Sequence, residues 1–335
     1  MSAAILQFLA AGAAIVVAGS VLTRCGDAIA ELTGFGRLLV GAILVAGATS
    51  LPEVLVDVNA VRLGLPDLAV GDLLGSSLMN LLILAALDSM GRSRGRMLSR
   101  MSAAHALSAT MAILLTAMVA AAILVPFKRE ILGVGTGVWA IAIVYVLGVR
   151  MTFFDQRYAA EVVGEKPPVP EVAGRKLSLK AAIAGFAAAA AVIFFAAPYL
   201  ARAAGSIAEL SGAGSTFIGT TLVAFSTSLP ELVATFAAVR IGAHDLAVGN
   251  IFGSNAFNMV ILLPVDIAHP GVLLAEASQA HAITAIAVII VTAVAVLGIL
   301  YRVENRIWFI EPDALLVVLL ALGALGLLYA LRPQT

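Results

Sequence analysis

A forty-residue segment occurs twice in this chain, 178 positions apart, and each copy sets a glutamate and a proline inside a stretch apolar enough for a lipid bilayer. The first copy, GAILVAGATSLPEVLVDVNAVRLGLPDLAVGDLLGSSLMN, runs from Gly41 to Asn80; the second, GTTLVAFSTSLPELVATFAAVRIGAHDLAVGNIFGSNAFN, runs from Gly219 to Asn258. Laid over each other without a gap they agree at 21 of 40 positions, and Thr49-Ser50-Leu51-Pro52-Glu53 recurs letter for letter as Thr227-Ser228-Leu229-Pro230-Glu231. A carboxylate and a helix-breaking proline are each costly in lipid. Carried together in both copies, they point to a site built at a repeat interface.

The surroundings are those of an integral membrane protein. Of 335 residues, 61% are hydrophobic and 12% charged, with mean hydropathy +1.06, whereas a soluble domain carries about 25% charged residues. Ten windows reach the ~20 residues that span a bilayer as helix: Ala3–Leu22, Leu38–Val61, Leu68–Leu87, Ala103–Val125, Ile131–Phe153, Leu179–Ala201, Phe217–Val239, Leu246–Ile267, Ala280–Leu300 and Ala314–Leu331. No alternating strand pattern of a barrel appears, so the expected fold class is an all-α polytopic protein of ten transmembrane helices. MSAAILQFLA lacks a basic n-region and reads as the start of the first span. Cys25 is the only cysteine, which excludes an internal disulfide and a multi-cysteine metal site; it reads as a small apolar filler.

Correspondence at the same offset extends upstream, with Arg24 matching Arg202 and Ile29-Ala30-Glu31-Leu32 matching Ile207-Ala208-Glu209-Leu210. The expected domains are therefore two five-helix repeats, 1–153 (core motif 41–80) and 179–335 (core motif 219–258), joined by a proline-rich polar linker, 154–178. An odd number of spans per repeat inverts the second copy in the membrane, an architecture that places a transport site at mid-membrane between the halves. Of the twenty Lys and Arg residues, fifteen fall in loops after odd-numbered spans. This puts the linker in the cytoplasm and both termini outside. The basic loop GRSRGRMLSR reads as a topology determinant and not as a nucleic-acid patch, since nothing aromatic or foldable surrounds it.

In the second span Ala46, Thr49, Ser50 and Glu53 share one helical face, and Pro52 is expected to open the preceding turn and free main-chain oxygens near Ala46 to Thr49. Ala224, Thr227, Ser228, Pro230 and Glu231 repeat the arrangement in the seventh span. The following span of each copy adds a face of Asp72, Ser76 and Asn80, or of Asn250, Ser254 and Asn258, with Gly75 and Gly253 available for close helix approach. These donors are all oxygen, with no sulfur or imidazole, which suits hard cations such as Ca²⁺ or Na⁺. A single Thr, Ser or Pro in a membrane helix is ordinary; the joint set, duplicated in register, is not.

TSLPE followed by D-L-A-V-G-(D/N)-x-x-G-S resembles the α-repeats of the sodium/calcium exchanger family within the cation/calcium antiporter superfamily. The resemblance implies Glu53, Glu231, Thr49 and Thr227 for Ca²⁺, and Ala46, Ser50, Ser76, Ala224, Ser228 and Ser254 for Na⁺, with Asn80 and Asn258 at a matching polar position. It implies transported ions and no prosthetic group, a lipid bilayer as the setting, no nucleic acid and no obligate protein partner. It also implies a prokaryotic inner-membrane antiporter working by alternating access. Many members carry an aspartate at a position matching Asn80 or Asn258, and here both are amides. The two glutamates then sum to −2, which balances one Ca²⁺; three Na⁺ would leave +1, worth about 2.3 kcal/mol across ~100 mV. A Ca²⁺/H⁺ antiporter is the competing reading, since buried glutamates can be protonated instead of sodium-loaded. An intramembrane enzyme using two carboxylates, or a passive channel, would need neither duplicated Thr-Ser faces nor an inverted repeat.

The copies differ at Asp57 and Asp72, where the second has Thr235 and Asn250. These aspartates suggest an acidic outer vestibule, against a local Asp57–Arg62 pair. Asp88 and Asp266 match at the same offset and read as interfacial carboxylates, while His105, His244, His269 and His281 share no metal-ligand spacing.

Overall fold

A membrane helix satisfies every backbone hydrogen bond internally, and helices are what the apolar windows form. The computed structural model describes residues 2–90, 103–163, 177–210, 225–301 and 312–330. In chain order these are α1 (Ser2–Thr33), α2 (Arg37–Thr49), α3 (Leu51–Arg62), α4 (Pro66–Met90), α5 (Ala103–Leu124), a hairpin of β1 (Glu130–Ile131) and β2 (Val134–Gly135), and α6 (Thr136–Val163). Then follow α7 (Leu179–Leu210), α8 (Leu229–Arg240), α9 (His244–Ala268), α10 (Leu273–Glu276), α11 (Ala280–Tyr301) and α12 (Pro312–Ala330). Among the described residues seven helices are long and apolar enough to cross a membrane, and the α2–α3 pair, bent by 44°, makes an eighth. The seventh expected window is described only from Phe225, and the tenth is covered by α12 as far as Ala330.

The repeat is written into the backbone. Helix α3 shifted by 178 residues gives the bounds of α8, and α4 shifted by 178 gives those of α9. Both short helices end in the same turn. Gly64 and Gly242 each sit at φ +76°. Gly64 N–H bonds Val61 O and Leu65 N–H bonds Ala60 O; Gly242 and Ala243 do the same with Val239 and Ala238. This glycine-terminated motif satisfies the last carbonyls of a helix.

Three expectations need correction. The first and sixth windows do not stop at Leu22 and Ala201, because α1 and α7 are each 32 residues long. Their polar ends carry charge outside the apolar stretch, and Asp27 on α1 is anchored by Arg37 at 2.5 Å. The fifth window opens as a hairpin and not as helix. Leu132 (φ 55°) and Gly133 (φ 74°) form its two-residue turn, the pattern in which both central residues are left-handed. The stretch 154–178 begins as helix, since α6 runs to Val163 before the first proline at 167; residues 164–176 lie outside the described set, as does the basic loop 91–100. Gly253 makes the close approach expected of the glycine pair; Gly75 meets nothing within 4 Å among the described residues, and the counterpart of Gly253's neighbour, residue 220, lies outside them.

Two compact units divide the chain, residues 1–52 with 146–253, and residues 53–145 with 254–335. Each unit draws on both halves of the sequence, a partition different from that of the repeats. In the first unit α1 packs along α7 and against α8. Helix α2 also crosses α9 there through glycines: a Cβ on Gly41 would sit 2.5 Å from Leu246 O, one on Gly249 2.5 Å from Leu38 O, and one on Gly253 would collide with the Ala42 backbone. Beside this crossing α2 passes through a π turn, Gly41–Val45, a register change often found near functional sites. Cys25 is buried, its Sγ filling the space where Gly185 lacks a side chain. The second unit has an apolar core built by α4, α5, α6, α9 and α11 around Leu73, Leu115, Ile141 and Val265. Helices α4 and α9 are the most enclosed, with 67% and 83% of their apolar windows buried against 22% for α6 and α7.

Gly253→Ala forces a methyl into backbone and is expected to destabilise the protein by about 1–3 kcal/mol, the usual cost of overpacking, lowering its unfolding temperature in detergent. Gly249→Ala, at the same crossing, should lower it likewise, and an unchanged temperature for both variants would refute the glycine crossing.

Candidate functional site

Position 50 is where the second span changes direction. Pro52 has no N–H for the carbonyl four residues back, and Ser50 takes φ −88°, ψ 6°, with Ser228 at φ −84°, ψ 3° in the second copy. Glu53 and Glu231 therefore sit in the first turn of α3 and α8. Each is fully buried. The opening is narrower than the sequence suggests. The Ala46 carbonyl still accepts the Ser50 N–H at 3.0 Å, and the Thr49 hydroxyl lies 3.2 Å from it.

In the first unit, predicted residues of both copies meet. Ser50 Oγ donates to Glu231 Oε1 at 3.2 Å. The Thr49 hydroxyl is 3.4 Å from Asn250 Oδ1, whose Nδ2 donates to Thr235 Oγ1 at 2.9 Å and approaches Glu231 O at 3.5 Å. The Thr23 hydroxyl on α1, between the Gly19 and Ala234 carbonyls at 2.8 and 3.1 Å, ties α1 to α8. Thr227 and Ser228 are buried beside Glu231, and Ser228 Oγ has no hydrogen-bond partner among the described residues. Ala224 lies outside the described residues.

In the second unit, α4 meets the latter part of α9 through four polar side chains in an exchanged pattern. Asn80 Nδ2 donates to Asn255 Oδ1 at 3.0 Å, and Asn258 Nδ2 approaches Ser77 Oγ at 3.4 Å. Asn80 matches Asn258, and Ser77 matches Asn255, at the offset of 178. Each residue thus touches the counterpart of its own counterpart's partner, which is what a two-fold relation between repeats produces. Asn255 Nδ2 also donates to Ser77 O at 3.2 Å, and Asn258 Nδ2 lies 3.4 Å from Leu73 O.

The chemical consequence concerns oxygen. The amide N–H groups of Asn80 and Asn258 are spent on protein acceptors, while both Oδ1 atoms are buried without a partner among the described residues. The hydroxyls of Ser76 and Ser254 are in the same condition. Buried polar atoms are almost always hydrogen-bonded. Here five oxygens of one sequence-selected set, on Ser76, Asn80, Ser228, Ser254 and Asn258, are left over. Such a donor set fits hard cations and would suit a soft metal poorly. Ser77 and Asn255 went unpredicted, although both copies are polar at that offset and the signal was available.

The carboxylates and histidines outside this set are of two kinds. Asp266 is a structural tie whose Oδ1 accepts the Leu273 N–H at 2.7 Å and Oδ2 the Gly135 N–H at 2.6 Å. The side chain of Asp88 lies outside the described residues. His269 faces Glu276 at 2.9 Å and His281 faces Asp67 at 3.1 Å. Among the described residues no group of three or more His, Cys, Asp or Glu could hold a metal. Asp57 is fully buried and makes no ion pair with Arg62, contrary to one of the two sequence readings.

An all-α, multi-pass protein with oxygen-rich faces duplicated in register and buried is a membrane cation transporter, not an enzyme. Comparison with known proteins narrows the class. The family described as "Sodium/calcium exchanger protein" matches residues 3–154 and 181–331, and the chain belongs to it. The chain is similar to the "Inner membrane protein YrbG" of Escherichia coli (strain K12), 30% identical over 257 residues, covering 74% of this chain and 72% of that protein. The "Putative antiporter CaxA" of Alkalimonas amylolytica is 28% identical over 253 residues, 75% of this chain and 76% of the relative. The "Sodium/calcium exchanger MaX1" of Methanosarcina acetivorans is 48% identical over a shorter 73 residues, 22% of this chain and 21% of that one. Among solved structures, the sodium-calcium exchanger NCX_Mj shares the fold at TM-score 0.72 and 19% identity, covering 98% of this chain and 100% of that one. The protein is a cation/Ca²⁺ antiporter of this family.

Asn255 holds both Asn80 and the Ser77 carbonyl. Asn255→Ala is expected to cost about 1–3 kcal/mol for the groups left unsatisfied and to weaken ion affinity in transport assays, while Asn255→Gln rescues in part. An alanine variant with unchanged stability and unchanged apparent affinity would exclude this positioning role.

Proposed function

We propose that the chain exchanges Na⁺ for Ca²⁺ across a prokaryotic inner membrane, with Glu53 and Glu231 as the carboxylates that carry Ca²⁺. Thr49 and Thr227 contribute oxygens to that ion, and Ala46, Ser50, Ser76, Ala224, Ser228 and Ser254 supply Na⁺ ligands, with Asn80 and Asn258 as neutral oxygen donors. The observation that carries this reading is the set of buried, leftover oxygens on Ser76, Asn80, Ser228, Ser254 and Asn258. A proton antiporter needs protonatable carboxylates; it does not need hydroxyl and amide oxygens held without protein partners. The amide at 258 further lowers the count of titratable groups. Ser50 donating to Glu231 orients one carboxylate and leaves the hydroxyl oxygen able to accept a cation.

The mechanism follows from shared occupancy. Ca²⁺ balances the −2 of the two glutamates, and an unbalanced charge in a low-dielectric site is expensive. Na⁺ ions satisfy the same carboxylates, so one cargo excludes the other and no covalent step is required. Helices α1 and α7, packed along each other and held to α8 in part by Thr23, are the proposed gating pair. The two repeats, 1–153 and 179–335, form the inverted frame, with the linker 154–178 cytoplasmic and both termini outside. YrbG is named an inner membrane protein, which supports the compartment.

Membrane vesicles or proteoliposomes carrying the protein should take up ⁴⁵Ca²⁺ when an outward Na⁺ gradient is imposed, and not when a pH gradient replaces it. Glu53→Gln and Glu231→Gln should each abolish this uptake. Uptake driven by protons and indifferent to Na⁺ would replace this reading with Ca²⁺/H⁺ exchange.

A further inference from the structure

The two copies of the repeat solve one local problem differently. In the second copy, Thr235 and Asn250 close on each other by a neutral hydrogen bond of 2.9 Å. The equivalent residues of the first copy, 178 positions earlier, are Asp57 and Asp72. Both lie in the second compact unit, Asp57 one turn beyond Glu53 on α3 and Asp72 one turn before Ser76 on α4. Each thus stands at a position whose counterpart in the second copy takes part in that bond. Asp57 is fully buried, and neither of its oxygens has a hydrogen-bond partner among the described residues; Oδ2 of Asp72 is buried and equally alone. Among the described residues no lysine, arginine or histidine forms an ion pair with either. His281, which approaches Gly71, is bonded to Asp67 instead.

We propose that Asp57 and Asp72 form a second site for a divalent cation, present in the first repeat only. Two carboxylates brought together at these equivalent positions, away from water, repel unless a proton or a cation lies between them. Their joint charge of −2 is balanced by one divalent ion, and oxygen donors alone select a hard one. Thr235 and Asn250 present no charge and satisfy each other, so the second repeat has no such site. The enclosed position of Asp57 replaces the open acidic vestibule expected from sequence with a bound position. Asp72, only half-buried, leaves the pair one accessible side. The site would hold the ion one helical turn from Glu53. It rests on the proposed transport reading only for the identity of the natural cation.

The test uses the full-length chain with Glu53→Gln and Glu231→Gln together, in detergent or nanodiscs, titrated with Mn²⁺ and read by electron paramagnetic resonance. One Mn²⁺ per chain is expected to remain bound. Adding Asp57→Thr and Asp72→Asn, which installs the second repeat's own pair, should weaken that binding about ten-fold or more, as loss of ligand charge does at oxygen sites. Thermal unfolding in Na⁺ checks that this variant folds; should it fail to, Asp72→Asn alone, at the half-buried position, must show the loss. No Mn²⁺ bound with both glutamates removed, or binding that survives the aspartate changes, overturns the proposal. Failure here is distinct from failure of Na⁺-driven Ca²⁺ uptake by the unaltered protein, since neither outcome implies the other.

Discussion

The structure depends on what it costs to keep a carboxylate away from both water and lipid. Removing an ion from water costs several kcal/mol even after the protein relaxes, and Glu53 and Glu231 are both fully buried in a chain that is 61% hydrophobic. A fold that tolerates this twice must offer polar contacts, or a proton or cation that offsets the charge. The bend at Ser50 and the Ser50 hydroxyl donated to Glu231 are contacts of this kind. The long apolar surfaces of α1, α6 and α7 supply the lipid-compatible exterior. Exposed side chains such as Leu6, Val17, Leu147 and Phe195 belong to that surface.

Polarity inside the second unit is organised by exchange between repeats. Asn80 bonds Asn255 while Asn258 reaches Ser77, so one interaction occurs twice in mirrored roles. Such a network spends N–H groups and keeps oxygens. A hydrogen-bond network that consumed oxygens as well would make a stable core and a poor cation site. The same economy separates the two copies at Thr235–Asn250 and Asp57–Asp72. One pair is closed by its own hydrogen bond, while in the other both Asp57 oxygens and Oδ2 of Asp72 have no hydrogen-bond partner among the described residues.

Much of this was legible in the sequence because duplication turns single residues into paired observations. The offset of 178 that aligned TSLPE with itself also aligns the ends of α3 with α8 and of α4 with α9. Ser77 and Asn255 were passed over although both copies are polar there, because the face was traced in steps of four through positions 72, 76 and 80. Windows of hydropathy missed the lengths of α1 and α7, because their charged final turns continue as helix beyond the apolar stretch. The π turn at Gly41–Val45 could not be read at all, as it accompanies a glycine crossing between segments some two hundred residues apart. The hairpin turn at Leu132-Gly133 was missed because an apolar window says nothing about φ.

That one glutamate from each repeat serves a single ion is the claim on which the transport account stands. It is tested most directly by a double-mutant cycle on the Ca²⁺ concentration giving half-maximal Na⁺-driven transport, using Glu53→Asp, Glu231→Asp and both together. If the two carboxylates share one ion, the effects are strongly non-additive, with a coupling energy above the ~0.5 kcal/mol scatter of independent sites. Additive effects within that scatter would mean that the glutamates serve different ions, and would contradict the account.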